Sequence, residues 1–187
     1  MSAPAAPTIK VWDAFVRFCH WALVLSILGA WLTRHAPGRA HEWIGYASLA
    51  IITARIVWGV VGSGHARFRD FLTSPRATWR YTRQVMSRSE PRHVGHNPLG
   101  GWMILALLTT VALTGFTGWL YTTDRFWGIE WVEELHSTLA DLLLVLAGVH
   151  IAGALYASFR HRENLIGAMF HGRKRADVAV DRNRRSP

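Results

Sequence analysis

The sequence predicts an all-α protein: an antiparallel bundle of four transmembrane helices with both termini cytoplasmic. Three observations predict it. Four stretches, roughly Phe15–Thr33, Trp43–Gly62, Leu99–Tyr121 and Leu135–Phe159, are predominantly apolar, and each reaches the ~20 residues that one bilayer crossing needs. The segments between them are polar. Arginine is dense in some of those segments and sparse in others, alternating along the chain as the two sides of a membrane must.

Residues 1–10 are small and Pro-rich and are expected to be a flexible N-terminus. A single membrane domain is expected over residues 11–175, followed by a disordered basic tail over 176–187, where arginine accumulates and apolar residues thin out. The first apolar stretch is read as a retained helix rather than a signal peptide, because no small-residue cleavage pattern clearly follows it. It ends near His35-Ala36-Pro37-Gly38-Arg39, a turn signal. The second begins soon after, around His41, and so short a connection requires antiparallel neighbours.

In the next connector Ser74-Pro75 marks a helix start, with Ser as cap and Pro in the first turn. Arg76, Arg80 and Arg83 then share a face with Trp79 and Met86 beside it. That pattern suits a short helix on the anionic inner leaflet; a solvated loop helix fits it nearly as well. Asn97-Pro98 opens the third span, and Thr122–Glu134 forms the outer loop. Asp124, Glu130, Glu133 and Glu134 stand there against Arg125, while Trp127 and Trp131 suit an interfacial aromatic belt. No internal repeat and no soluble catalytic domain is visible.

The chain has 187 residues and a formal net charge of +9, a balance that elsewhere points to nucleic acid. Its distribution points to topology instead. The connector from Gly64 to Pro98 holds Arg67, Arg69, Arg76, Arg80, Arg83, Arg88 and Arg92, and the tail after Phe159 is as rich. The other two loops carry only Arg34, Arg39 and Arg125. The positive-inside rule then sets both termini and the long connector in the cytoplasm.

Histidine carries the chemistry. Of ten histidines, six lie in connectors or tails, where a surface role is the default. His20, His41, His136 and His150 lie within or at the mouths of apolar helices. Singly, each reads equally well as a core histidine bonded to a neighbouring carbonyl. Their depths argue otherwise. His136 and His150 are fourteen residues apart, close to four helical turns, so they share a face and are separated by ~21 Å along the axis. With the termini inside, His41 and His136 fall near the outer surface, and His20 and His150 fall in the inner half. An ionisable side chain at such depth is costly and functional by default. Two depth-matched pairs suggest two haems, each held by axial imidazoles on opposite faces, a ligation that favours electron transfer over oxygen chemistry. Cys19 is the only cysteine, so no C-x-x-C-H attachment exists and the haems must be held non-covalently.

Arg55 lies fourteen residues after His41, on the same helical face but at the inner level. A haem propionate would neutralise it there; the alternative is snorkelling to the interface. Gly45, Gly115, Gly118 and Gly148 offer surfaces without bulk, although membrane helices also use glycine for close packing. His96, with Asn97, is a candidate for proton exchange with quinone, against a plain helix-entry role. Asp141 lies ~140° around its helix from His136, off the ligand face, suited to relaying protons or bonding a neighbouring helix.

Taken together, Phe18-Cys19-His20-Trp21, His41-Glu42-Trp43-Ile44-Gly45-Tyr46, Arg55-Ile56-Val57-Trp58-Gly59 and His96-Asn97-Pro98-Leu99-Gly100-Gly101-Trp102-Met103 strongly resemble the bacterial cytochrome b561 family. So do Thr117-Gly118-Trp119-Leu120, Glu133-Glu134-Leu135-His136, His150 and Arg160-His161-Arg162-Glu163-Asn164-Leu165. The family includes the b-type cytochrome subunits of nickel–iron hydrogenases. The resemblance covers about residues 10 to 175. It implies four membrane helices holding two b-type haems through the four histidines, and electron exchange between a quinone pool and a partner. The hydrogenase subunits usually carry a longer set of helices, which this shorter chain fits less well. The function expected is therefore transmembrane electron transfer in a respiratory chain of the bacterial inner membrane. Quinone or quinol stands at one end and a periplasmic redox protein, such as a c-type cytochrome, at the other; membrane lipid is the remaining partner. The alternatives are a superoxide oxidase, a hydrogenase cytochrome b subunit, and a non-redox haem carrier or membrane anchor.

Overall fold

The computed structural model describes residues 7–62 and 66–176. Its elements in order are β1 (Thr8–Lys10), α1 (Ala14–Thr33), α2 (Ala40–Val61), α3 (Phe68–Phe71), α4 (Pro75–Met86), α5 (Pro98–Tyr121), α6 (Glu130–His161), α7 (Leu165–His171) and β2 (Arg173–Arg175). The four long helices α1, α2, α5 and α6 are each long and apolar enough to cross a membrane. The protein is a four-helix membrane bundle.

Helix starts follow from local chemistry. The Asp13 carboxylate accepts from the Val16 amide at 2.8 Å and also from the Trp58 indole N–H at 3.1 Å. It thereby caps α1 and ties it to the end of α2. Ser74 caps α4 by accepting from the Ala77 amide, and Asn97 caps α5 by accepting from the Gly100 amide at 2.7 Å. Pro75 and Pro98 each occupy the first helical position, where the missing N–H is no loss.

Along the spans, hydroxyls have no water to bond. Thr110, Thr114 and Thr117 on α5 donate to the carbonyls of Ala106, Thr110 and Leu113, and Ser48 on α2 donates to Ile44. This leaves them satisfied within their own helix. Helices α1 and α2 lie together, as do α2 with α5 and α5 with α6. Ile52, Leu108, Val111 and Leu143 form the buried core between α2, α5 and α6, with Leu23 and Ile27 of α1 packed against it. Neither α1 nor α2 packs closely along α6. Their backbones stand apart, with side chains between them.

One end of the bundle is heavily built. Strand β1 pairs antiparallel with β2, setting Thr8 opposite Arg175 and Lys10 opposite Arg173. Thr8–Lys10, expected to belong to a flexible segment, are thus held in a strand. Their partner lies more than 160 residues away, so local composition gives no hint of it. Gly172 makes the join possible: its φ of +78° turns the chain, a side chain there would meet the Trp12 carbonyl, and its own carbonyl accepts from the Val11 and Trp12 amides. Lys174 is buried with its ammonium 5.6 Å over the Trp12 ring. Burial holds its pKa below the ordinary lysine range, with Glu163 acting in the opposite direction. Glu163 pairs with Arg92 at 2.8 Å and buried Glu90 pairs with Arg160 at 3.0 Å, so the connector, α6 and the C-terminal segment are joined at the same end. Residues 1–6 and 177–187, and with them most of the expected N-terminal segment and basic tail, lie outside the described residues.

Asp13→Ala removes both a cap and an interhelical bond. It should lower the thermal unfolding midpoint of the detergent-solubilised protein by the equivalent of about 1–2 kcal/mol, whereas Asp13→Asn, which keeps an accepting oxygen, should lose less. Equal midpoints for wild type and Asp13→Ala would show that the cap does not matter to stability.

Candidate functional site

The four membrane histidines meet in two pairs. His41, in the first turn of α2, faces His136 of α6 with ring centroids 6.1 Å apart. His20 of α1 faces His150 of α6 at 6.4 Å. All four are half-buried. No hydrogen bond joins the two rings of either pair. A metal–imidazole bond is about 2 Å, and each ring centre lies roughly 1 Å beyond its nitrogen. Two imidazoles on opposite sides of one metal therefore have centres about 6 Å apart, which matches both pairs.

The His41–His136 pair is oriented by backbone carbonyls. His41 Nδ1 lies 2.9 Å from the Ala30 carbonyl of α1. His136 Nδ1 lies 3.0 Å from the Thr114 carbonyl of α5, with the Thr117 hydroxyl at 3.3 Å. A carbonyl only accepts, so each Nδ1 carries the proton and each Nε2 keeps its lone pair, the state a metal ligand needs. Gly118 seats the ring of His136: a Cβ there would stand 2.9 Å from its Cε1. The His20–His150 pair is different. His20 Nδ1 is buried without a hydrogen-bond partner, and Trp21 meets the His20 ring edge-on at 5.0 Å.

The donor set fits haem. Among the described residues no cluster of three or more His, Cys, Asp or Glu side chains is arranged to hold a bare metal ion. Two opposed imidazoles supply only axial ligands and leave the equatorial ones to a macrocycle. A Cβ added at Gly45 or Gly148 meets nothing within 4 Å, while one at Gly115 or Gly118 meets Leu49 or His136. The four glycines singled out in the sequence therefore divide into two that border open space and two that admit a neighbour.

Arg55 is 5% exposed and so does not snorkel to solvent. Its Nη2 donates weakly to the Ala66 carbonyl at 3.4 Å, its guanidinium lies 5.7 Å over the Phe68 ring, and its Nη1 is buried without a partner. The His96 ring is packed between Trp12 at 4.4 Å and Phe71 at 4.9 Å. Asp141 is exposed on α6, away from the histidines. Trp127 and Trp131 are exposed beside the acidic loop. His65 lies outside the described residues. Sequence reasoning missed the carbonyls of Ala30 and Thr114, which leave no mark in residue type.

Apolar helices that bring imidazoles into opposed pairs suit a membrane protein that holds a metal macrocycle. The chain belongs to the prokaryotic cytochrome b561 family, whose model matches residues 11–172. It is accordingly a multi-pass bacterial membrane protein that transfers electrons with b-type haem. A probable Ni/Fe-hydrogenase B-type cytochrome subunit of Bradyrhizobium diazoefficiens is 24% identical to it, over 92% of this chain and 88% of that one. The corresponding proteins of Rhizobium leguminosarum bv. viciae and Azotobacter vinelandii are each 25% identical, over 89% and 88% of this chain. The alignments run over 221, 212 and 213 positions against the 187 residues of this chain, so these relatives are longer, as the sequence reading expects. No solved structure matches it.

Gly118→Leu should push the His136 ring off the Thr114 carbonyl and reduce haem b bound per polypeptide, read by pyridine haemochrome absorbance. Gly115→Ala, which meets only the flexible Leu49 side chain, should retain haem at the wild-type level. Full haem content in Gly118→Leu would mean that the close seat of His136 is not required.

Proposed function

We propose that the chain carries electrons across the bacterial inner membrane through two b-type haems, each bound by two histidines. His41 and His136 hold the outer haem, and His20 and His150 the inner one. The observation that carries this reading is the pairing itself: both separations suit a shared metal, and the pairs are ~21 Å apart along α6. When bound, haem supplies a one-electron iron couple. The four histidines would hold the haem iron, a ligation that would favour electron transfer over oxygen chemistry. The carbonyls of Ala30 and Thr114 hold the outer rings in the coordinating tautomer. The apolar helices keep water from the path.

Arginine density orients the chain with both termini in the cytoplasm. Electrons would then pass between the quinone pool and a periplasmic redox partner such as a c-type cytochrome, with the acidic outer loop steering a basic surface towards it. A hydrogenase as that partner is the second reading, favoured by the names of the relatives. Superoxide oxidation is less consistent with the acidic loop, which repels an anion. A haem carrier is less consistent with two fully ligated sites. We assign Arg55 to the inner haem as counter-charge to a propionate, on the support of its burial and its unpaired Nη1.

Pyridine haemochrome analysis should give about two haems b per polypeptide. His136→Ala should empty chiefly one spectral component and His150→Ala chiefly the other. Loss of the same component in both variants, or one haem at full occupancy, would overturn the two-site assignment. Arg55→Leu should lower the inner midpoint potential, because a propionate without its counter-charge disfavours the more negative reduced state. Titration in the His136→Ala background isolates that haem, and an unchanged potential there would remove Arg55 from the site.

A further inference from the structure

The helix α4 lies outside the four spans and packs against α5. A trough runs along it. One end is lined by Pro75, Thr78, Trp79 and Trp102; the other continues past Trp79 to Arg83 and Met86. The walls are apolar and open: Trp79 is 63% exposed and Met86 80%. Trp102, in the second turn of α5, is held by an indole N–H bond to the Thr73 carbonyl at 3.2 Å, so the trough begins at the level where a membrane span begins.

Beside the apolar wall stands a cationic one. Arg76, Arg80 and Arg83 succeed one another at helical spacing and are exposed. Among the described residues none of the three is ion-paired, whereas the nearby carboxylates are taken: Asp70 by Arg67 and Glu90 by Arg160. The Arg83 guanidinium lies 5.9 Å over the Trp79 ring, joining the two walls. An occupant must be amphiphilic, carry an anion and reside at a membrane boundary.

We propose that this trough binds an anionic phospholipid, with its phosphate on Arg80 and Arg83 and an acyl chain along Trp79 and Trp102. Guanidinium binds phosphate through paired hydrogen bonds, and tryptophan suits the interface between headgroup and chain. A soluble anion would leave the apolar wall unused. The assignment rests on the four membrane spans and is independent of which residues ligate haem.

The test uses the full haem-loaded chain in detergent and phospholipids brominated on the acyl chain, which quench nearby tryptophan. Brominated phosphatidylglycerol should quench saturably and bind more tightly than its phosphatidylcholine counterpart, a single arginine being worth roughly fivefold. Replacing Arg76, Arg80 and Arg83 together by Gln should abolish that preference while the haem spectrum stays unchanged. Trp79→Phe with Trp102→Phe should remove the saturable part of the quenching. Equal binding of the two lipids by wild type, preference persisting in the triple Gln variant, or quenching undiminished without the two tryptophans would each overturn the proposal. So would displacement of the lipid by millimolar inorganic phosphate, which would identify a free-anion site.

Discussion

Hydrocarbon offers no hydrogen bonds, and that absence governs most of what the bundle does with its polar atoms. A buried polar group left without a partner loses about 1–3 kcal/mol. The hydroxyls of α5 avoid this by bonding the preceding turn of their own helix. His41 and His136 avoid it on one side of the ring only, through the carbonyls of Ala30 and Thr114. The two rings stand 6.1 Å apart, and no hydrogen bond joins them. The core of Ile52, Leu108, Val111 and Leu143 fixes α6 against α5 and α2. Spacing between helices and ligand geometry are therefore one constraint.

The two ends of the bundle answer to different demands. At one end, short connections join α1 to α2 and α5 to α6, and the side chains presented are acids and exposed tryptophans. At the other, α3, α4, α7 and the β1–β2 pair cover the helix ends, and the ion pairs Arg92–Glu163 and Glu90–Arg160 bind segments remote in sequence. A surface for encounter is best left uncluttered, while a rigid base keeps the helices from sliding and changing the distances between them.

Much of this was legible in the sequence because it depends on one dimension. Rise per residue and bilayer thickness suffice to count four spans and to sort His20 with His150 and His41 with His136 by depth. Ser74 and Asn97 announced their helices because capping is a matter of three or four neighbouring residues. What depends on distant segments was not legible. The pairing of Thr8–Lys10 with Arg173–Arg175, the short helix α7 and the packing of His96 between Trp12 and Phe71 all arise from contacts between segments far apart in sequence. The glycines show the same divide: nothing in residue type tells Gly118, which seats His136, from Gly45, which borders open space.

The β1–β2 clasp has a consequence for biogenesis. Its first strand precedes every membrane span and its second follows them all. During synthesis β1 must therefore wait, unpaired, until α1, α2, α5 and α6 have been threaded into the bilayer. Closure of the clasp is then the last step of assembly and depends on an even number of crossings, because only that count returns β2 to the side where β1 waits. A chain inserted with one span missing would leave both strands unpaired and take Lys174 from the Trp12 ring. The clasp thus reports on completed topology: when insertion fails, Thr8–Lys10 and the cationic Arg173–Arg175 are left as unpaired strand edges.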